Sequence, residues 1–434
     1  MVLSLNCSNF ANLIFYKEII LFTMKQEKLF AGKTLAILSG GGDTPAINSS
    51  IESVRNRALM LGFKVYGIRT GWKGLLGDGD IVDLTNRPYN GLYGGTALRS
   101  SRTNPFPSKK NPEDRVPQVM KNLKRYKIDV LVTIGGDDTN GAAKRLYEQE
   151  GIPVIGFPKT IDNDLRTLTM HSFNGKETDA VICPGFPSAA KSIAEFATRL
   201  KTTAESHQRI MVMEVMGRDA GWLTGAGTFG GSTISLIPEL EMTKERKERF
   251  FDAVADTYKN NQNKSLIIPV SEGVRWYNEK TGTCDVVYAS TEQDEYGHAR
   301  LGGVCGTIAS EISAKLKIDA RAQMTGYYPR SGMCNAYDRR LTQALADKAV
   351  DLLLREEYGQ MPVLKKVCSY GELEEFNCGS IDMGKIGNRP LPTEYFDETK
   401  FVFTDMYKDF LEHIIGKPEF ETFCTDFPKV HPID

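Results

Sequence analysis

A chain of 434 residues is too long for one compact core and fits two domains, the arrangement in which small ligands usually bind in a cleft. Its 54 basic and 55 acidic side chains leave a net charge of -1, with no basic tail or acidic block; no nucleic-acid or membrane partner is expected, and any anion site must be local. The eight cysteines (Cys7, Cys183, Cys284, Cys305, Cys334, Cys368, Cys378 and Cys424) show neither a CxxC pair nor a metal-finger spacing, which suits reduced, buried thiols in a cytoplasmic enzyme.

In chain order, residues 1–32 are expected to be an extension outside the catalytic fold. Their apolar stretch, Leu13 to Tyr16 and Ile19 to Phe22, is broken by Lys17 and Glu18 and is too short to span a membrane. It lacks a basic leader and a small-residue cleavage site, and it lies ahead of a second possible start at Met24. No other apolar run approaches spanning length, so a soluble chain is expected.

From Thr34 one grammar recurs: a short β-rich apolar run, a glycine-rich turn and an amphipathic helix, which predicts an α/β fold with a parallel sheet covered on both faces. Thr34 to Leu38 is the first strand and Ser39 to Asp43 its turn. Pro45 falls where a helix start tolerates proline, and Ile47, Ile51, Val54, Ala58 and Leu61 form one helical stripe. Further strands are predicted at Val130 to Ile134 and Pro153 to Phe157, each followed by a charged turn, and these turns should converge at the carboxyl edge of the sheet. Two later strands, Arg209 to Val215 and Leu266 to Val270, read as the matching edge of a second domain. The segment from Gly379 onward is rich in proline and aromatics and carries no readable pattern.

The turns hold the chemistry. Ser39-Gly40-Gly41-Gly42-Asp43 is either a plain tight turn or a phosphate cradle, since three glycines let backbone N–H groups approach an anion at a helix N-terminus. It is neither a dinucleotide fingerprint nor a P-loop, and a dinucleotide-dependent oxidoreductase is therefore disfavoured. Gly135-Gly136-Asp137-Asp138-Thr139 offers two adjacent carboxylates: either one of them is taken by a hard cation such as Mg²⁺, or Asp137 or Asp138 serves as a helix N-cap. In Thr160-Ile161-Asp162-Asn163-Asp164 the alternation sends Thr160, Asp162 and Asp164 to one side; two carboxylates there raise each other's proton affinity, so that one can act as a base toward an alcohol. Lys159 supplies a point charge for a phosphate. Arg102, Arg209, Arg218, Arg321 and Arg330 suit bidentate phosphate contacts, although any single one is more commonly a solvated surface residue.

Taken in order, SGGGDTPAIN, GGDDTN, PKTIDND, SHQRIMVMEVMGRDAGW, SEG and the stretch from Arg321 to Arg330 resemble the phosphofructokinase family, collinearly from about Thr34 to Arg340. The resemblance implies two Rossmann-like parallel-sheet domains with the active site in the cleft between them. A phosphoryl-donor domain would span 33–173 and 329–380, and a sugar-phosphate domain 174–328 and 381–434. It implies transfer of a phosphoryl group to the 1-hydroxyl of fructose 6-phosphate, with Asp162 as base, Arg218 stabilising developing charge and Asp137 holding Mg²⁺. Thr160, Ile161, Asp164, Met216, Gly217 and Glu272 would line the sugar, and Tyr327 and Arg330 would hold its 6-phosphate. Tyr327 stands where a histidine is common, which keeps one hydrogen bond and loses a possible charge.

Gly41, Gly42 and Arg102 would hold the donor. Arg209 and Arg321 would reach across from a neighbouring subunit of a homodimer or homotetramer. The donor implied is pyrophosphate: nucleotide-using members commonly have glycine at the positions of Asp138 and Lys159, and a carboxylate at Asp138 would repel the α-phosphate of ATP. Ala142, near where a nucleotide-contacting glycine is common, agrees. The rival readings are an ATP-dependent 6-phosphofructokinase and a non-catalytic regulatory subunit or sensor. Retention of Asp137, Asp162, Asp164 and Arg218 speaks against the second, since a sensor needs neither base nor metal.

Overall fold

Along the chain, a computed structural model describing residues 29–370, 373–387 and 389–417 places strands β1 (Thr34–Ser39), β2 (Lys64–Ile68), β3 (Ile81–Asp83), β4 (Val130–Gly135) and β5 (Val154–Pro158). There follow the hairpin β6–β7 (Met170–Phe173, Lys176–Asp179), β8 (Ile210–Val215) and β9 (Leu266–Ser271), then two short pairs, β10–β11 (Trp276–Asn278, Thr283–Asp285) and β12–β13 (Tyr288–Gln293, Ala299–Leu301). The last strands are β14 (Ala320–Met324), the hairpin β15–β16 (Gln360–Tyr370, Leu373–Asp382) and β17–β18 (Phe396–Asp397, Val402–Phe403). The α-helices among the described residues are α1 (Ile47–Met60), α2 (Val116–Arg125), α3 (Asp137–Glu150), α4 (Phe186–His207), α5 (Lys244–Asn260), α6 (Val304–Leu316), α7 (Ala336–Leu354) and α8 (Asp405–Ile415).

The chain divides into two compact units. One takes in the chain up to Lys159 together with Asp294–Gly297 and Asp338–Ile386; the other takes in Thr160–Gln293, His298–Tyr337 and the chain from Gly387. The chain therefore switches unit at 159/160, 293/294, 297/298, 337/338 and 386/387, where the family resemblance implied changes at 173/174, 328/329 and 380/381. Two contacts account for part of the shift. His171 of β6 bonds Asp409 of α8 at 3.0 Å, and Asn335 donates its backbone N–H to Ser188 of α4 at 2.9 Å, which keeps both segments in the second unit.

The first unit is built on a seven-stranded sheet ordered β16-β15-β5-β4-β1-β2-β3. The run from β15 to β2 is parallel and the two edges are antiparallel. β1, β4 and β5 are buried throughout, as doubly covered parallel strands must be. The predicted helical stripe from Ile47 to Leu61 is fully buried, but Pro45 lies ahead of the cap residue Ala46 and outside the helix. Of the segment 1–32 read as an extension, residues 1–28, with the apolar stretch and Met24, lie outside the described residues. Phe30 belongs to the first unit, buried and stacked on Phe63 with ring centroids 4.5 Å apart.

In the second unit β8 is flanked in parallel by β14 and β9, and β14 forms an exposed edge. The C-terminal segment that carried no readable pattern holds strands β17–β18 and helix α8 among its described residues. Tyr395, Tyr407 and Phe410 pack with Trp222 as a buried aromatic cluster, with pair geometry that is tilted or edge-on. Among the described residues no helix is long and apolar enough to cross a membrane. Among the described residues Cys183, Cys284, Cys305, Cys334 and Cys378 form no disulfide; Cys7, Cys424 and the Cys368 side chain lie outside the described residues.

Candidate active site

In the first unit the register aligns Ser39 with Ile134 and Gly135 with Pro158, so the turns after β1 and β4 and the end of β5 share one sheet edge. Gly40 is packed so tightly that a Cβ there would lie 2.5 Å from Thr139 Oγ1, which fixes this turn against the start of α3. Asn140 ties the same corner by donating to the Gly135 carbonyl at 2.8 Å and accepting from Thr133 Oγ1 at 2.8 Å. Two of the turn amides are already used: Gly40 N–H donates to Ile134 O at 3.0 Å and Gly41 N–H to Ser101 O at 3.3 Å. The cradle expected from three successive glycines therefore lacks those two donors. The positive group at this turn is Lys159, which is 4 % exposed and whose Nζ donates to Gly42 O at 2.8 Å.

Gly136 is the cap residue of α3, with Asp137 and Asp138 in the first helical turn. The capping alternative is thus displaced by one or two positions, and both carboxylates stand where the helix dipole favours negative charge. Among the described residues no group of three or more His, Cys, Asp or Glu is gathered as a metal cage. One or two carboxylates beside a phosphate site still fit Mg²⁺, which usually takes most of its ligands from water and substrate phosphate. Ala142 is packed in the core among Leu131, Ala143 and Leu146 rather than turned to a ligand.

The second unit holds the Thr160 to Asp164 turn. The alternation predicted from sequence is present: Ile161, Asn163 and Leu165 are buried, while Thr160, Asp162 and Asp164 are partly open. Asn163 takes a left-handed conformation (φ 56) and accepts the Cys183 N–H at 3.0 Å, which locks the turn onto its neighbour segment. Thr160 donates to Asp164 at 3.0 Å and accepts the Asp162 N–H at 3.0 Å. Asp162 Oδ1 is buried with no hydrogen-bond partner among the described residues, a costly state for a carboxylate.

The carboxylate that feels Asp162 is Glu272, where the sequence pointed to the neighbouring Asp164. Burial first, then the Asp162 charge, push Glu272 up to about 7, while Arg330 and Arg218 pull against them. Ser271 holds the Gly217 carbonyl, and Glu272 N–H bonds Val215 O at 2.9 Å. Gly273 admits the Arg218 backbone, because a Cβ there would sit 1.8 Å from Arg218 O. Gly217 takes φ 144, and its Cβ would lie 2.7 Å from Ala220 O, so no other residue fits. Arg330 Nε contacts Met216 Sδ at 3.0 Å and Arg218 Nη2 donates to Ala299 O at 2.6 Å. Asp162, Met216, Gly217, Arg218, Glu272 and Arg330 thus form one cluster.

A pH consequence follows. The Glu272 carboxyl binds its proton more tightly folded than unfolded, so its penalty is absent below its ordinary value of 4.5, grows as pH rises toward 7 and is complete above it. Glu272→Gln is expected to stabilise the protein by roughly 2–3 kcal/mol at pH 8 and by almost nothing at pH 4.5. Thermal melts of both proteins at the two pH values check this; equal gains at both would contradict it.

Two of the expected residues, Arg209 and Arg321, stand apart from that cluster, whereas Tyr327 adjoins it, its carbonyl accepting the Arg330 N–H at 3.0 Å. Tyr327 is 65 % exposed at the start of a short 3-10 turn. Arg209 and Arg321 both pair with Asp319, at 3.5 and 2.8 Å, at the amino ends of β8 and β14. Arg218 and Arg330 lie beyond the carboxyl ends of those strands, and five or six residues of strand separate the two edges by roughly 15–20 Å. In the first unit Arg102 is ion-paired with Asp294. Sequence reasoning missed Asn140, Ser271 and the residues 294–297, all of which act through contacts with no local spacing signal. It also missed Glu214, a buried carboxylate that accepts the Gly303 and Cys305 N–H groups at 3.0 Å and so caps α6.

The Phosphofructokinase family model matches residues 34–353. The pyrophosphate--fructose 6-phosphate 1-phosphotransferase of Dictyoglomus thermophilum is 37 % identical over 336 residues, covering 76 % of this chain and 89 % of that protein. The ATP-dependent 6-phosphofructokinase 3 of Streptomyces coelicolor is 35 % identical over 340 residues, covering 76 % of this chain and 90 % of that protein. A crystal structure of a pyrophosphate-dependent phosphofructokinase from Marinobacter aquaeolei superposes with a TM-score of 0.68 at 22 % identity over 92 % of this chain and 95 % of that one, a likeness of fold. With its α/β architecture, its ordered turns and a match over most of its length, the chain belongs to the phosphofructokinase family.

Proposed function

We propose that the protein transfers a phosphoryl group reversibly between pyrophosphate and the 1-hydroxyl of fructose 6-phosphate. The observation that carries the choice of donor is Asp138 in the first turn of α3, fixed against the Gly40 turn through Thr139. At about 4 Å and an effective dielectric of about 20, a carboxylate repels a phosphate by about 4 kcal/mol per unit charge, which disfavours the α-phosphate of ATP, a group pyrophosphate lacks. Lys159, buried at the same turn, supplies the compensating positive charge. Relatives named for either donor occur at similar identity, so relatedness alone leaves ATP as the second reading, and Asp138 with Lys159 favours pyrophosphate.

In this reading Asp162 accepts the proton of the 1-hydroxyl as its oxygen forms the new bond to phosphorus and the bond to the leaving phosphate breaks. The unpartnered Asp162 Oδ1 supports that role, since a ligand hydroxyl would satisfy it. Arg218, anchored through Nη2 to the Ala299 carbonyl, stabilises the charge that develops on the transferred group with its other N–H groups. Glu272, with Met216 and Gly217, orients the sugar, and Arg330 with Tyr327 takes its 6-phosphate. Asp137 would hold Mg²⁺, which when bound neutralises charge on the donor oxygens. Lys159 and Thr160 are consecutive, so the donor lysine and the acceptor turn are linked by one peptide bond.

The placement of Arg209 and Arg321 at the far ends of their strands supports a homodimer or homotetramer in which they serve a neighbour's sugar site. Arg321, 62 % exposed on an unpaired edge, has the reach. Co-assembling the inactive variants Arg321→Ala and Asp162→Asn is then expected to restore a fraction of the turnover, because some sites receive both intact residues. Hybrids as inactive as their parents would place Arg321 in its own chain's chemistry.

The reverse reaction tests the donor. Fructose 1,6-bisphosphate with orthophosphate and Mg²⁺ should yield pyrophosphate and fructose 6-phosphate. Product formed only when ADP replaces orthophosphate would support the second reading.

A further inference from the structure

The chain between β3 and α2 contains no regular element, yet it carries Arg102, which the proposed function assigns to the donor. Such a loop must be ordered by contacts made elsewhere. For Arg102 to Asn104 they come from Asp294–Gly297, four residues that leave the second unit to join the first. Three consecutive residues of this turn grip three consecutive residues of the loop. Asp294 Oδ2 pairs with Arg102 Nη1, Tyr296 donates its hydroxyl to Thr103 O at 3.0 Å, and Glu295 Oε2 accepts the Asn104 N–H at 2.9 Å. Glu295 also pairs at 2.5 Å with Arg115, whose side chain is buried and bonds the Asn104 carbonyl.

The turn is itself stiff. Asp294 Oδ1 accepts the Tyr296 N–H at 3.0 Å, the Asp294 carbonyl accepts the Gly297 N–H at 3.1 Å, and Gly297 takes φ 92. One oxygen of Asp294 therefore shapes its own turn while the other holds Arg102. The Asp294 side chain is 17 % exposed and that of Arg102 47 %, with only Nη1 of the guanidinium engaged, so the pair anchors the arginine and leaves its outer N–H groups to an anion. The Asp138 charge is felt at Tyr296, which sets the turn beside the carboxylate invoked for donor choice.

We propose that the Asp294–Gly297 turn is a donor-site positioning element, and that Asp294 acts on the donor through Arg102. This rests on the assignment of Arg102 to the donor and not on which donor it is. A structural role for the loop as a whole would instead lower stability and affect both substrates.

The test is a double-mutant cycle of Asp294→Asn and Arg102→Ala, with donor and sugar KM measured using whichever of pyrophosphate or ATP supports turnover. Asp294→Asn keeps the oxygen that accepts Tyr296 N–H and removes the charge. It is expected to raise the donor KM about fivefold or more, to leave the fructose 6-phosphate KM within about twofold, and to have no further effect when Arg102 is already alanine. Tyr296→Phe, which removes only the bond to Thr103, should raise the donor KM in the same direction. The proposal is overturned by an unchanged donor KM in Asp294→Asn or in Arg102→Ala, by a rise of equal size without Arg102, or by a parallel rise in the sugar KM. Turnover with ATP alone would sink the pyrophosphate reading, and the cycle, run with ATP, would still decide this one.

Discussion

Asp162→Asn is expected to lower turnover by roughly 10³-fold or more while fructose 6-phosphate still binds, because general-base assistance is lost and little else changes. The substitution preserves shape. The Asp162 backbone N–H keeps its bond to Thr160, and Oδ1 has no bond within the fold to lose. Removing one of two mutually repelling carboxylates should also let Glu272 fall from about 7 toward the ordinary range. Single-turnover kinetics, a sugar-binding titration and thermal melts separate these effects. Turnover within about tenfold of the unaltered protein would remove Asp162 from the role of base.

Asp138→Gly carries the second large effect. Loss of the carboxylate should raise kcat/KM for ATP by roughly 30- to 1000-fold, the equivalent of about 2–4 kcal/mol of relieved repulsion, and should weaken use of pyrophosphate. Glycine within the first turn of α3 costs about 1 kcal/mol of stability, so a modest drop in melting temperature accompanies the switch. Lys159→Gly should weaken pyrophosphate use without improving ATP, because it removes attraction and no repulsion. An unchanged donor ratio in Asp138→Gly would show that the carboxylate does not govern donor choice.

The buried strands β1, β4, β5, β8 and β9 were legible because a doubly covered parallel strand has to be a short apolar run, and Leu35 to Leu38 or Leu131 to Ile134 can be little else, whereas β2, β3, β14, β15 and β16 were not read. The turns were legible because charged residues after such runs have few structural uses. What escaped was non-local. Asp294, Glu295 and Tyr296 sit in a stretch of short strands whose partners lie some 190 residues away in sequence, and no periodicity encodes that return. The Glu272 coupling to Asp162 is equally non-local, and it moved the expected carboxylate pairing away from Asp164 alone. Helix α8 was overlooked although Met406, Tyr407, Phe410, Leu411 and Ile414 give it a buried stripe, hidden in the sequence by the proline-rich and aromatic run before it. The glycine turn taught the opposite lesson: three glycines promised free amides, yet two of them serve the fold and Lys159 supplies the charge.

Steady-state turnover of fructose 6-phosphate with Mg²⁺ and each donor in turn addresses the donor question most directly. A kcat/KM for pyrophosphate at least about 100-fold above that for ATP is the predicted result, in line with the repulsion assigned to Asp138. Efficient turnover with ATP and none with pyrophosphate would contradict the account.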